Sequence, residues 1–186
     1  LRYLAETREH GILLEQRAGH GSDVLRSEKS GGTPVLEGFG DASYEEGWAH
    51  TGVLIKYCGM LVAWKSTKQP QVPRSTAEAE CTAMAYASQL LEGTQCLFVD
   101  MKVVVGTPVL FCDNRAAVHL SAGSSEWRTK ALVNRILGVR SLIELGQLLL
   151  QFKPTLDMEA DLLTKFMGAK LLGKQRKLLG CVPPRQ

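Results

Sequence analysis

The sequence has no run that could cross a bilayer. Its longest near-apolar stretch, Leu54 to Trp64, is interrupted by Lys56 and falls well short of the roughly 20 residues a spanning helix needs. It has no Cys-x-x-Cys pair and no Cys/His spacing suited to zinc, and its five cysteines, Cys58, Cys81, Cys96, Cys112 and Cys181, are odd in number. Those absences argue against a zinc module and a disulfide framework, so the thiols read as small buried hydrophobes in a reducing compartment. No secretory signal, internal repeat or low-complexity tract is present. The expected location is cytoplasmic or nuclear, with no membrane partner. Opening on Leu1 instead of Met, the chain reads as a piece of something longer.

What is present is an ordinary domain composition. The 186 residues are 45% hydrophobic and 22% charged, enough to bury one substantial core. The net charge of +3 is small, yet Lys165, Lys170, Lys174, Arg176, Lys177 and Arg185 follow one another with no acid between them. Such a tail suits a polyanion or a solvated helix face. Residues 19–33 are rich in Gly and Ser and mark a flexible connection. The expected divisions are therefore a leading segment over 1–33, a core domain over 34–166 and a basic extension over 167–186.

Within the core, strands are expected at Val35 to Asp41, Thr51 to Tyr57 and Met60 to Trp64, the last two joined across Cys58-Gly59. Helical spacing follows from Ser75 to Glu92, and residues 92–106 read as a loop. Then come a short strand to Cys112, a short helix from Asn114, a longer one from Trp127 to Leu145, a strand to Phe152 and helices from Asp157 and Ala169. A hairpin followed by alternating helices and strands implies a mixed α/β sheet with helices on its faces.

Four acids stand where these elements could bring them together: Asp41, Glu80, Asp113 and Asp161. Asp41 ends the first strand, although a turn-starting Asp would sit there too. At about 100° per residue, Glu80 shares a stripe with Ala83, Met84, Ala87 and Leu91, whereas Glu78 shares one with Thr82, Gln89 and Glu92. Glu78 also completes a capping box with Ser75. A carboxylate on an apolar stripe needs a partner to offset its desolvation. Asp113 follows an apolar strand, where it could equally cap the next helix, and Asp161 lies in a helical first turn, where an acid is favourable anyway. Convergent carboxylates repel one another unless a cation sits among them, so the set points to divalent metal.

The segments Gly40-Asp-Ala-Ser43, Trp64-Lys-Ser-Thr-Lys-Gln69, Arg74-Ser-Thr-Ala-Glu-Ala-Glu80, Phe111-Cys-Asp-Asn114, Arg128-Thr-Lys130 and Ala160-Asp-Leu-Leu-Thr-Lys165 resemble, in order, those of the ribonuclease H domain of copia-type LTR retrotransposon polyproteins. Leu1-Arg-Tyr-Leu4 with Gly11-Ile-Leu-Leu14 resembles that family's connection from reverse transcriptase. The resemblance implies a five-stranded mixed sheet with flanking helices. It also implies hydrolysis of the RNA strand in an RNA:DNA hybrid during reverse transcription, with two Mg²⁺ ions held by the four acids and Mn²⁺ able to substitute. Reverse transcriptase of the same polyprotein would be a partner, and a retroelement particle the setting.

Contacts to the hybrid are expected from Ser43, Lys65, Lys68, Ser75, Asn114, Arg128 and Lys130, reading shape and 2′-hydroxyls more than bases. The pattern departs from the family at Ala131, Leu132 and Val133, where histidines and an acid commonly stand, and Lys153 to Ala160 has no histidine. Those departures keep open a catalytically weak or idle hybrid-binding scaffold. A DNA strand-transfer enzyme of the same broad fold ranks last, because nothing in it calls for the helix of Glu80.

Overall fold

The computed structural model describes residues 11–12, 33–115, 118 and 130–182. Its elements are β1 (Gly11–Ile12), β2 (Leu36–Glu45), β3 (Trp48–Tyr57), β4 (Met60–Lys68), α1 (Thr76–Asp100), β5 (Val109–Cys112), α2 (Lys130–Glu144), β6 (Leu149–Phe152), two 3₁₀ turns (Thr155–Asp157 and Glu159–Leu163), α3 (Ala169–Leu178) and β7 (Cys181–Val182). Five strands form one sheet in the order β4-β3-β2-β5-β6, antiparallel across β4, β3 and β2 and parallel from β2 through β5 to β6. The expected mixed five-stranded sheet is what forms. β1 pairs with β7, so the segments preceding and following the core are hydrogen-bonded to each other.

Each turn is explained locally. Cys58 and Gly59 both take positive φ, 52° and 77°, the pattern of the tight hairpin turn that matches strand twist. Ser75 caps α1 by accepting from the Glu78 amide at 3.2 Å, and the Glu78 carboxylate accepts in return from the Arg74 amide at 2.7 Å. The sheet then buries both faces. Leu36, Val53, Ile55 and Leu110 pack under α1 and α2 with Met84, Leu91 and Ile136. On the other face Phe39, Leu54 and Phe111 pack with Met158, Ala160 and Leu179, the two phenylalanine rings stacked 5.1 Å apart.

Four expectations need correction. Asp41 does not end its strand, because β2 continues to Glu45 and places Asp41 inside it. Residues 92–100 are helix, not loop: Gly93 resembles a stop signal, but α1 ends later, where the amides of Lys102 and Val103 bond back to Val99 and Phe98. Lys102 supplies the positive φ of 60° usually left to glycine, which hides this end from the sequence. The helix expected from Asp157 is instead two 3₁₀ turns broken at Met158, whose extended backbone sends its side chain into the core. Finally, Cys58, Cys81 and Cys112 are buried as expected, but Cys96 is exposed on the unforeseen last turns of α1.

The second 3₁₀ turn is pressed against the sheet at Gly52, which faces Asp41 across the β2–β3 ladder. A Cβ there would lie 2.7 Å from Thr164 Cγ2, 2.8 Å from the Ala160 carbonyl oxygen and 2.8 Å from Leu163 Cβ. Farther along, buried Lys56 pairs with Glu159 and donates to the Leu178 carbonyl at 2.9 Å, fastening the turn and α3 to β3. Gly52→Ala should therefore destabilise the protein by about 1–3 kcal/mol through overpacking. That corresponds to a melting-temperature loss of roughly 2–4 °C per kcal/mol. A melting temperature equal to the parent's would show that the turn does not need this close approach.

Candidate active site

Four elements end at one place. β2 supplies Asp41, the first turns of α1 supply Glu80, the exit of β5 supplies Asp113, and the second 3₁₀ turn supplies Asp161. Ligand oxygens of Asp41, Asp113 and Asp161 lie within 4.8 Å of one another, and Asp113 forms a second such group with Glu80 and Cys112. All four acids predicted from the sequence thus meet, with Asp113 common to both groups. Both glutamates are buried, but Glu80 belongs to the cluster, whereas Glu78 accepts from the Arg74 amide at its own cap.

The surroundings orient each carboxylate. Thr164 Oγ1 donates to Asp41, Thr155 Oγ1 donates to Asp113 at 2.9 Å, and the Ala42 amide donates to Glu80. Lys165 Nζ lies between two acids, 2.6 Å from Asp161 and 3.3 Å from Asp41. The sequence reading counted Lys165 in the basic tail and missed its place here. The available signal was its spacing of four residues from Asp161, which puts both side chains on one side of a turn. Thr155 and Thr164 carried no comparable signal.

Burial makes this site electrostatically costly. It pushes the Glu80 carboxyl up to about 9, with Asp41 and Asp113 adding to the shift and Lys165 opposing it. The Asp41 carboxyl rises to about 6, again mainly through burial, against the pull of Thr164 and Lys165. Lys165 itself moves upward, because the hydrogen bond and charge of its two acids outweigh its own burial. Burial also lifts the Cys112 thiol to about 12, so without a metal it stays protonated.

The open cleft above these acids, about 600 Å³, is lined by Ser43, Glu80, Asp113, Asn114, Arg115 and Lys165. Ser43 and Asn114 thus line the cleft beside the acids. Lys68 is exposed on β4, Ser75 is occupied as the cap of α1, and Lys65 reaches the hydroxyl of Tyr86 on the other sheet face. Arg128 lies outside the described residues, as does the side chain of Lys130.

The raised carboxyl groups set a pH dependence. With folded values above the unfolded ones, the native state holds more protons between about pH 4.5 and 9, so stability without metal falls as pH rises across that window. Glu80→Gln keeps an acceptor for the Ala42 amide without the charge. In chelator at pH 8 to 9 it should be more stable than the parent by on the order of a few kcal/mol, and its pH profile should be flatter. Equal profiles for the two proteins would show that Glu80 is not held against ionisation.

Comparison with known proteins gives a consistent placement. No protein-family model matches the chain. It is 32% identical over 192 residues to the retrovirus-related Pol polyprotein from transposon RE2 of Arabidopsis thaliana, covering 99% of this chain and 12% of that protein. The corresponding polyprotein from transposon RE1 of the same plant is 31% identical over 171 residues, covering 89% of this chain and 11% of that one. The chain thus spans only about an eighth of the length of these curated relatives.

Among solved structures, LC11-RNase H1 from compost superposes with a TM-score of 0.56 at 18% identity, over 75% of this chain and 96% of that one. The same protein in complex with an RNA/DNA hybrid gives 0.50 at 19% identity, over 69% of this chain and 92% of that one. The N-terminal RNase H domain of a Mycobacterium tuberculosis protein gives 0.50 at 12% identity, covering 78% and 98%. By sequence the chain is homologous to a segment of transposon Pol polyproteins, and by fold it is a ribonuclease H-like domain.

Proposed function

We propose that this chain is the ribonuclease H segment of a retroelement polyprotein and hydrolyses the RNA strand of RNA:DNA hybrids with the help of divalent metal. The observation that carries the reading is the convergence of Asp41, Glu80, Asp113 and Asp161 around the Lys165 ammonium, in a fold of this type. The hybrid-bound relative supports the choice of substrate.

The residues suit a divalent cation on their own chemistry. All four are hard oxygen donors, and one Glu80 oxygen is buried with no hydrogen-bond partner among the described residues. An ammonium is already drawn in between Asp41 and Asp161. These acids would hold magnesium, as a pair of ions with manganese able to substitute, and bound metal would supply an activated water and stabilise the leaving oxygen.

The chain's own groups have separate tasks. Thr155 and Thr164 hold Asp113 and Asp41 in place before substrate arrives. Lys165 would yield Asp41 to an entering cation while keeping Asp161, and would then meet a phosphate oxygen at the cleft wall. Ser43, Asn114 and Arg115 would follow the strand backbone, with Lys65, Lys68, Arg128 and Lys130 adding charge on the approach. Reverse transcriptase of the same polyprotein would deliver the hybrid, in a cytoplasmic retroelement particle or in the nucleus.

Incubated with labelled hybrid and Mg²⁺, the protein should release RNA fragments with 5′-phosphate ends. Removing a group that orients a ligand typically costs 10–100-fold, so Asp113→Asn, which removes a ligand itself, should cost more than about 100-fold. Tight hybrid binding without turnover in either Mg²⁺ or Mn²⁺ would replace the enzyme by a scaffold. Independently, Mg²⁺ at about 100 times its Kd should stabilise the fold by about 2.7 kcal/mol, a rise of roughly 5–10 °C. Asp41→Asn should lose that rise, and a melting temperature indifferent to Mg²⁺ would remove the metal site.

A further inference from the structure

A second cleft lies just across the Lys165 side chain from the carboxylates. Trp48 and His50 on β3, Leu162 and Leu163 of the second 3₁₀ turn, and Phe166 enclose about 370 Å³. Lys165 lines this cleft and the carboxylate cleft alike, so whatever fills one is within reach of the other.

The Trp48 and His50 side of the cleft is aromatic and held in place. Trp48 and His50 meet edge to face at 6.5 Å. The Ser66 hydroxyl donates to the Leu163 carbonyl at 2.8 Å and lies 2.8 Å from His50 Nε2. With its own hydrogen committed, Ser66 can only accept from His50, which fixes Nε2 as the protonated nitrogen and the ring in one orientation. Phe166 is fully exposed, although burying such a side chain is worth roughly 1.5–3 kcal/mol. The rim is cationic: Lys165 stands on one side, and exposed Lys68 pairs with His50 across the β3–β4 ladder.

Aromatic walls with a cationic rim are the chemistry of a stacking platform for nucleic acid. A base inside a hybrid is already stacked on both faces and has no ring surface to offer, whereas an unpaired base does. We infer that this cleft takes an unpaired nucleotide leaving the hybrid beside the cleavage point, its base against Trp48 and Phe166 and its phosphate toward Lys165. The protein would then prefer hybrid ends and junctions over continuous hybrid. This inference rests on the hybrid-cleaving reading above, and it adds a preference that the carboxylates alone do not provide.

The test compares blunt hybrid, hybrid with a short RNA tail, hybrid with a short DNA tail, and free single strand, each tail carrying 2-aminopurine next to the duplex. One of the two tails should raise affinity at least about fivefold, since a stacked base contributes roughly 1–3 kcal/mol. Its 2-aminopurine fluorescence should be quenched on binding, a readout independent of cleavage. Phe166→Ala, at a position with no packing to lose, and Trp48→Ala should each abolish most of the tail's gain while leaving blunt-hybrid affinity within about twofold. Trp48→Phe, which keeps a ring and the fold, should retain most of it.

Equal affinity for tailed and blunt hybrids, or equal weakening of both by Phe166→Ala, would overturn the inference. If blunt hybrid is neither bound nor cut, the hybrid-cleaving reading fails on its own. Quenching of the free single strand, lost in Phe166→Ala, would still support the cleft, and its absence would remove the cleft as well.

Discussion

Carboxylates gathered out of water repel one another, and the structure around the site has to tolerate that repulsion at Glu80 and Asp41. Two acidic groups share Asp113, so neither can relax without disturbing the other. Lys165 offsets part of the cost between Asp41 and Asp161, but no cation comparably close to Glu80 is seen among the described residues. Burial raises both carboxyls most, and Glu80 ends higher, at about 9 against about 6 for Asp41. A site of this kind is strained without metal and relieved by it, which couples ion binding directly to fold stability.

Holding the acids there is a problem of close approach. The 3₁₀ turn bearing Asp161 reaches Asp41 only because Gly52, the cross-strand neighbour of Asp41, leaves room for Ala160, Leu163 and Thr164. The Lys56–Glu159 pair and the burial of Met158 and Ala160 then fix that turn from behind. The same contacts set the position of Lys165 and Phe166, so the carboxylate cleft and the aromatic cleft share one support. A shift of the turn would therefore be felt in both.

Much of this was legible along the chain. Alternation, the Cys58-Gly59 turn and the stripe through Glu80, Ala83, Met84 and Ala87 are local signals, and each led to the right element. The errors have local causes too. Gly93 imitated a helix stop, while the true stop at Lys102 uses a left-handed residue that is not glycine. The segment from Asp157 has helical composition, but packing of Met158 into the core breaks it into two shorter turns. Tertiary packing outweighed local preference there, by burying a large apolar side chain that a continuous helix would have left elsewhere.

By itself the sequence determined which acids could matter, because residue type, strand position and helical phase are properties of neighbours in the chain. It also determined the class of sheet, through the order of hairpin, helices and strands. Only the tertiary structure decided that the four acids share Asp113, that Lys165 belongs with them instead of with the basic tail, and that Trp48 and Phe166 face one cleft. Those facts depend on distances between residues more than a hundred positions apart, such as Thr164 and Lys165 against Asp41. Chain-local patterns carry no information about such distances until β-strand register and the close contact at Gly52 fix them.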